Sequence, residues 1–255
     1  MSASNNLIFI GFYKYFYKPK PGSMSDLLSQ YSKDIGSDFT VVQIGANDGI
    51  TQDPINKFIK RDKWNGVLLE PQKYVFETFL KRTYSKHSNL KLINAAIGDK
   101  DGSAAIYKIG FSNSRWATGL TTFNKPTLEK AFESGHVARN CAKEGISIPK
   151  DAAKHIIEEE VKVISSESIL NYTSNSRPID LLMIDAEGFD YEVIKLFDIS
   201  VARPGLIIFE HGHLSASDYS ACSDLLAIND YVFRKDGPNT VAIKQVRNKY
   251  PEYYK

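Results

Sequence analysis

Acids and histidines gather in two short segments of the second half of the chain, Asp185-Ala186-Glu187-Gly188 and Glu210-His211-Gly212-His213. Each follows an apolar run, Ile179 to Ile184 and Leu206 to Phe209, of the kind that forms a strand covered on both faces of a parallel sheet. Ligands of open α/β sheets bind outside the carboxyl ends of strands, so Asp185, Glu187, Glu210, His211 and His213 are expected to converge. Two chemistries fit them. Asp185, Glu210 and His211 could hold a divalent ion, with carboxylate oxygens suiting Mg2+ or Mn2+, and the ion would lower the pKa of a bound hydroxyl. Without a metal, His211 or His213 would take the proton as general base, its ring oriented by a neighbouring carboxylate. Two acids at neighbouring strand ends repel unless a cation or a proton lies between them, which favours the metal. Glu187 has a third role open to it: with Asp190 it could start a helix over Phe189 to Phe197, where acids favour the positive end of the dipole.

The elements that must position these groups begin at Phe39-Thr40-Val41-Val42-Gln43-Ile44-Gly45-Ala46-Asn47-Asp48-Gly49. An apolar run there enters a glycine-flanked turn, and Gly45 and Gly49 allow backbone angles and close approaches that a Cβ forbids. A dinucleotide site would need a further glycine so that bare N–H groups could reach a pyrophosphate. This turn carries Asp48 instead, which repels phosphate and attracts a cation, and S-adenosylmethionine carries both an ammonium and a sulfonium. A nicotinamide oxidoreductase is therefore disfavoured. Asp53-Pro54 predicts the start of a helix, and Val67-Leu68-Leu69-Glu70 a second strand ending in an acid 21 residues after Gly49. That is where a nucleotide-binding α/β unit places the carboxylate for the ribose hydroxyls.

With Leu69-Glu70-Pro71, Asn94-Ala95-Ala96-Ile97-Gly98-Asp99 and Ile184-Asp185-Ala186-Glu187-Gly188-Phe189 beside the first turn, the chain resembles a class I methyltransferase of the FkbM type over roughly residues 38 to 245. The resemblance implies a Rossmann-like α/β fold with a seven-stranded, mostly parallel sheet whose last strand is antiparallel. It also implies S-adenosylmethionine as cofactor. Gln43, Gly45, Asn47, Asp48 and Gly49 would cradle its methionine part, Glu70 its ribose, and Asn94, Ala95 and Ala96 its adenine, with Asp185 opening the catalytic face. Characterised members are mostly O-methyltransferases of sugars and polyketides. A sugar hydroxyl of a glycan is the expected acceptor, with a polyketide, lipid or small aglycone hydroxyl, RNA, or a catalytically silent cofactor-binding module as alternatives. The signature for amino methylation of bases, Asp/Asn-Pro-Pro-aromatic, is replaced here by Asp185-Ala186-Glu187-Gly188.

Composition agrees with an enzyme. A chain of 255 residues can bury a substantial core, and a net charge of +2 argues against nucleic acid as obligatory partner. Lys57, Lys60, Arg61, Lys63, Lys81, Arg82 and Lys86 nevertheless place local basic charge near the first helices. Two separated cysteines, Cys141 and Cys222, form no disulfide scaffold, so a reducing, cytoplasmic setting is the default.

Residues 1–37 read as an accessory segment. Leu7 to Phe12 is too short to span a bilayer, and Tyr13 to Lys18 interleaves aromatics with lysines, as in a packed element, a contact with another domain or an interfacial segment. Residues 38–245 form the expected catalytic domain, with strands at Leu90 to Ile97, Ala104 to Ile109 and Val161 to Ile164. Residues 111 to 160 break the βα rhythm as a lid-like insert, with a helical stretch around Pro126 to Glu144 and with Arg115 and Trp116, together with Glu187 outside it, as candidate acceptor contacts. Tyr231 to Ile243 reads as a hairpin, and residues 246–255 as a tail.

Overall fold

In the computed structural model, the described residues are 7–173, 178–244 and 250. The strands are β1 (Thr40–Ile44), β2 (Asn65–Leu69), β3 (Leu90–Ile93), β4 (Ala96–Ile97), β5 (Gly102–Ile109), β6 (Ile156–Ile164), β7 (Leu181–Ile184), β8 (Leu206–Glu210), β9 (Tyr231–Asp236) and β10 (Asn239–Lys244). Seven of them form one sheet in the order β3-β2-β1-β7-β8-β10-β9. Pairing is parallel except where β10 meets β8 and β9, so only the last strand runs against the others. The Rossmann-like α/β expectation holds in this respect.

Alternation along each strand sends neighbouring side chains to opposite faces, and both faces are covered. Val42, Ile44, Leu182, Ile184, Ile207 and Phe209 meet Val193, Ile194, Phe197, Cys222 and Leu226 on one side. On the other side Val41, Leu181, Met183, Leu206 and Ile208 meet Leu27, Leu28, Phe58, Ile59 and Trp64. That double burial is why the strands read as unbroken apolar runs. It also fixes the register in which β1, β7 and β8 end side by side.

The stretch expected as one strand from Leu90 to Ile97 is broken. Asn94 turns its Nδ2 back to the carbonyl oxygens of Glu70 and Pro71, at 2.8 Å each, and the chain leaves the main sheet. Beyond it β4 joins β6 and β5 in a separate three-stranded sheet. β6 begins at Ile156, five residues earlier than expected, because eight successive residues from Ile156 to Val163 pair with β5. Between β5 and β6 lie the helices Arg115–Thr118, Lys125–Glu133 and His136–Glu144. The single helical stretch expected around Pro126 to Glu144 is split at Ser134-Gly135, where Gly135 has φ +71°. Residues 246–255, expected as a tail, lie outside the described residues apart from Tyr250, whose hydroxyl donates to Asp34 at 2.5 Å.

Candidate active site

The ends of β1, β2 and β7 border a slot lined by Gly45, Asn47, Glu70, Ala95 and Asp185. Its floor is the β1 turn. Gly45 has φ +79°, and a Cβ there would collide with the carbonyl oxygen of Asp185, so glycine lets the ends of β1 and β7 pack together. Two non-glycine residues beside the slot, Asn47 (φ 46°) and Glu187 (φ 49°), are also left-handed, a conformation that clusters at functional sites because the surrounding structure must hold it.

Glu70, at the end of β2, lines the slot and is 2% exposed. Its Oε2 accepts from the Asn47 backbone N–H at 2.9 Å, and its Oε1 from the N–H of Gln72 at 2.8 Å and from Gln72 Nε2 at 3.3 Å. A carboxylate has about four acceptor positions, so one remains for a ligand. Burial pushes the group up to about 7 despite these donors. Gln72 also donates to the carbonyl of Thr118 at 3.0 Å, which brings the insert over the slot. Thr121, Thr122 and Phe123 of the insert and Ile106 of β5 line it from that side, and Thr121 Oγ1 is buried without a hydrogen-bond partner.

Asp185 lies between this slot and a broader open cleft and lines both. Its surface faces the two spaces, yet protein surrounds it. Its carboxyl is pushed up to about 7, first by lost hydration and then by Glu210 and Asp53, with His213 acting in the opposite sense. Glu187, beside it, is driven to about 9 by burial and then by Asp185, Glu210 and Asp190. Burial also raises Glu210. Asp190 is fully buried and ties the two strand ends together, accepting from the N–H of Glu210 at 3.1 Å and of Gly188 at 3.3 Å. His213 Nε2 sits 3.4 Å from Glu187 Oε2 and 3.8 Å from Glu210 Oε2.

The metal-ligand set expected from sequence needs correction. His211 is drawn away: its N–H donates to the Pro238 carbonyl at 3.0 Å, its Nδ1 lies 3.1 Å from Thr240 Oγ1, and its ring packs near Tyr219. Among the described residues, the group able to offer three ligand atoms within 4.8 Å of one another is Glu187, Glu210 and His213.

Other expected site residues serve the scaffold. Asp48 is 1% exposed and closes its own turn, its Oδ1 accepting from the N–H groups of Ile50 and Thr51 and its Oδ2 from the Thr51 hydroxyl, each at 2.7 Å. It also pairs with Arg115. Gln43 is buried in β1, giving its Nε2 to Asp53 Oδ2 at 3.2 Å, and Gly49 packs beneath the turn against Tyr84. Asn94 braces the Glu70-Pro71 backbone, while Ala95 and Ala96 line the slot. Arg115, besides Asp48, donates to Thr51 Oγ1 at 2.9 Å and lies over the Phe79 ring. Trp116 gives its Nε1–H to Glu144 at 3.0 Å and packs among the insert helices, although both residues border the open cleft. Sequence reasoning missed Gln72 and the Thr121-Thr122-Phe123 stretch. The latter lies between the helices Arg115–Thr118 and Lys125–Glu133 with no motif to mark it.

A seven-stranded sheet with one reversed strand, a glycine turn under a ribose-type acid, and an acidic opening at the neighbouring strand end define a class I methyltransferase. Residues 43–236 match the methyltransferase FkbM domain, and the chain belongs to that family of S-adenosylmethionine-dependent methyltransferases. Among solved structures it is similar to an FkbM methyltransferase from Methylobacillus flagellatus KT at 14% identity and TM-score 0.47, covering 82% of this chain and 44% of that one. An O-methyltransferase from Bacillus cereus in complex with SAH is similar at 10% identity and TM-score 0.43, covering 93% and 87%. An SAH-bound methyltransferase from Podospora anserina is similar at 9% identity and TM-score 0.44, covering 94% and 87%. Curated proteins give no match.

Proposed function

We propose that the chain is an O-methyltransferase that transfers the methyl group of S-adenosylmethionine to a sugar hydroxyl of a glycan. The observation that carries the oxygen specificity is Asp185, set between the slot and the open cleft with Glu187, Glu210 and His213 beside it. In this reading the cofactor lies in the slot, with its ribose at the free acceptor position of Glu70, its adenine toward Ala95, Ala96 and Thr121, and its cationic end toward Asp185. The acceptor enters from the cleft lined by Trp116, Asn124 and Asn140, whose indole and amides suit a sugar's faces and hydroxyls.

Transfer forms the acceptor O–C bond as the methyl C–S bond breaks, and the hydroxyl proton must leave. His213 is placed to take it through one ring nitrogen while Glu210 and Glu187 orient the other. Holding reacting atoms about 3 to 3.5 Å apart supplies much of the acceleration. The two carboxylates and the imidazole also fit Mg2+ or Mn2+, and an ion held there would lower the pKa of an acceptor hydroxyl.

Turnover of labelled S-adenosylmethionine on a panel of glycans, polyketides and RNA tests the reading. Transfer to a glycan, lost in His213→Ala with cofactor affinity kept, supports it. Transfer to a nitrogen acceptor, or none to any hydroxyl, refutes it. Loss of turnover in chelator with restoration by Mg2+ or Mn2+ would assign the proton's removal to metal assistance.

A further inference from the structure

The helix Leu7–Tyr15 carries an apolar face that the rest of the described protein leaves uncovered. Ile8, Phe12, Tyr15 and Phe16 are 76%, 51%, 71% and 74% exposed. The helical pattern continues to Phe16, whose N–H donates to the Phe12 carbonyl at 2.8 Å. At 3.6 residues per turn these four side chains fall within an arc of about 100°. The helix is anchored on one flank against the helix Asn56–Asp62: Phe9, at the edge of the stripe, lies under Lys60 Nζ, which also lies over Tyr84, and Tyr17, just past the helix, lies under Lys57 Nζ. The exposed stripe is therefore held at a fixed orientation on the surface.

We propose that this face docks on an anionic lipid surface. Charge and composition select that occupant over another protein. The first 25 residues contain three lysines, Lys14, Lys18 and Lys20, and no acid. All three are exposed, and the exposed Arg82 and Lys86 flank Tyr84 near the other end of the helix. Apolar and aromatic side chains bordered by lysines match the boundary between acyl chains and negatively charged headgroups, where the ring enters and the ammonium stays in water. A short helix of this kind lies in the interface; among the described residues no helix is long and apolar enough to cross a membrane.

The orientation ties docking to the cleft. Past the helix the chain crosses the rim where the strands end: Met24 N–H donates to Asp236 Oδ2 at 2.6 Å, Arg234 donates to the Gly22 carbonyl, and Lys57 Nζ donates to Ser25 Oγ at 3.1 Å. Docking would bring this rim toward the lipid.

Sedimentation of the full chain with vesicles of phosphatidylcholine alone, or with about one third phosphatidylglycerol, tests the proposal. Binding is expected to the anionic vesicles and to weaken with salt. Phe12→Ser with Phe16→Ser should lower the partition by about tenfold or more, and replacing Lys14, Lys18 and Lys20 by Gln should cost about fivefold per residue. Both variants alter exposed side chains, and S-adenosylmethionine affinity should be unchanged, which separates this test from that of the catalytic reading. No partition onto anionic vesicles, a partition that neither variant changes, or a dimer that Phe12→Ser/Phe16→Ser dissociates without any vesicle binding would overturn it.

Discussion

Cofactor affinity should rise steeply between pH 6 and pH 8. Glu70 and Asp185, the two carboxylates proposed to meet the cofactor's ribose and its cationic end, are each pushed up to about 7 in the free protein, mainly by burial. Ribose hydroxyls donate to a carboxylate and a sulfonium needs an anion, so binding selects the ionised forms. The apparent dissociation constant is the intrinsic one divided by the competent fraction. For one group at about 7 that fraction is about 0.09 at pH 6 and about 0.9 at pH 8, a tenfold change. If both groups must ionise, the change approaches a hundredfold, and about one to two protons leave on binding at pH 6, falling to about half a proton per group at pH 7. Titration calorimetry at pH 6, 7 and 8, in buffers of different ionisation heat, reads both numbers. Glu70→Gln should remove one of the protons. It should also weaken binding by about 1.5 to 3 kcal/mol, or roughly 10- to 150-fold, since either amide orientation sets an NH2 against the Asn47 or the Gln72 N–H. Affinity that is flat from pH 6 to 8, or that falls, would refute the assignment of these two carboxylates to the cofactor.

Two further outcomes follow from the same geometry. Glu187 is raised to about 9 by burial and by Asp185, Glu210 and Asp190; its stabilising contribution is complete below the unfolded carboxylate value of about 4.3 and is lost as pH rises through about 9. The cofactor-free protein should therefore melt lower at pH 9 than at pH 5. Glu187→Gln should flatten that decline by about 2–4 °C per kcal/mol of relieved repulsion, and an unchanged decline in thermal melts would show that the carboxyl is not repelled. Arg115→Ala removes the tie from the insert to Asp48 and Thr51 and should speed cofactor release about three- to tenfold in stopped-flow experiments. Unaltered release would show that the insert does not retain the cofactor.

The parallel strands were legible because burial on both faces leaves unbroken apolar runs, and because each run of interest ends in a residue with chemistry. Glu70, Asp185 and Glu210 could be placed at strand ends for that reason. Side-chain direction within a turn could not be read. Asp48 looked like a charge offered to a cation, but an aspartate at such a position readily accepts from the N–H groups two and three residues on, and the structure shows that use. His211 and His213 were indistinguishable by spacing. The difference is made by β10, which pairs antiparallel with β8 and brings Pro238 and Thr240 to His211. The small second sheet was hidden for a related reason: β4 is two residues long, and its parallel partner β6 begins 59 residues after β4 ends, so no local pattern marks the pair.

Charge balance links cofactor and chemistry at this site. Asp185, Glu187, Asp190 and Glu210 crowd the ends of β7 and β8, and no lysine or arginine is among the described residues lining the slot. Arg115 and Lys130 border the open cleft instead, and Arg115 is already paired with Asp48. The cluster holds protons because burial first, and the neighbouring carboxylates second, raise Asp185, Glu187 and Asp190. In the proposed reading, a bound S-adenosylmethionine replaces protons with an ammonium and a sulfonium. In the proposed transfer the sulfonium becomes a neutral thioether and the hydroxyl gives up a proton, so one positive charge disappears from the slot while another is delivered to His213 and its carboxylates. The attraction that draws the cofactor in is thus weakened by the reaction itself, and the acid cluster is left to take up a proton again as the product departs.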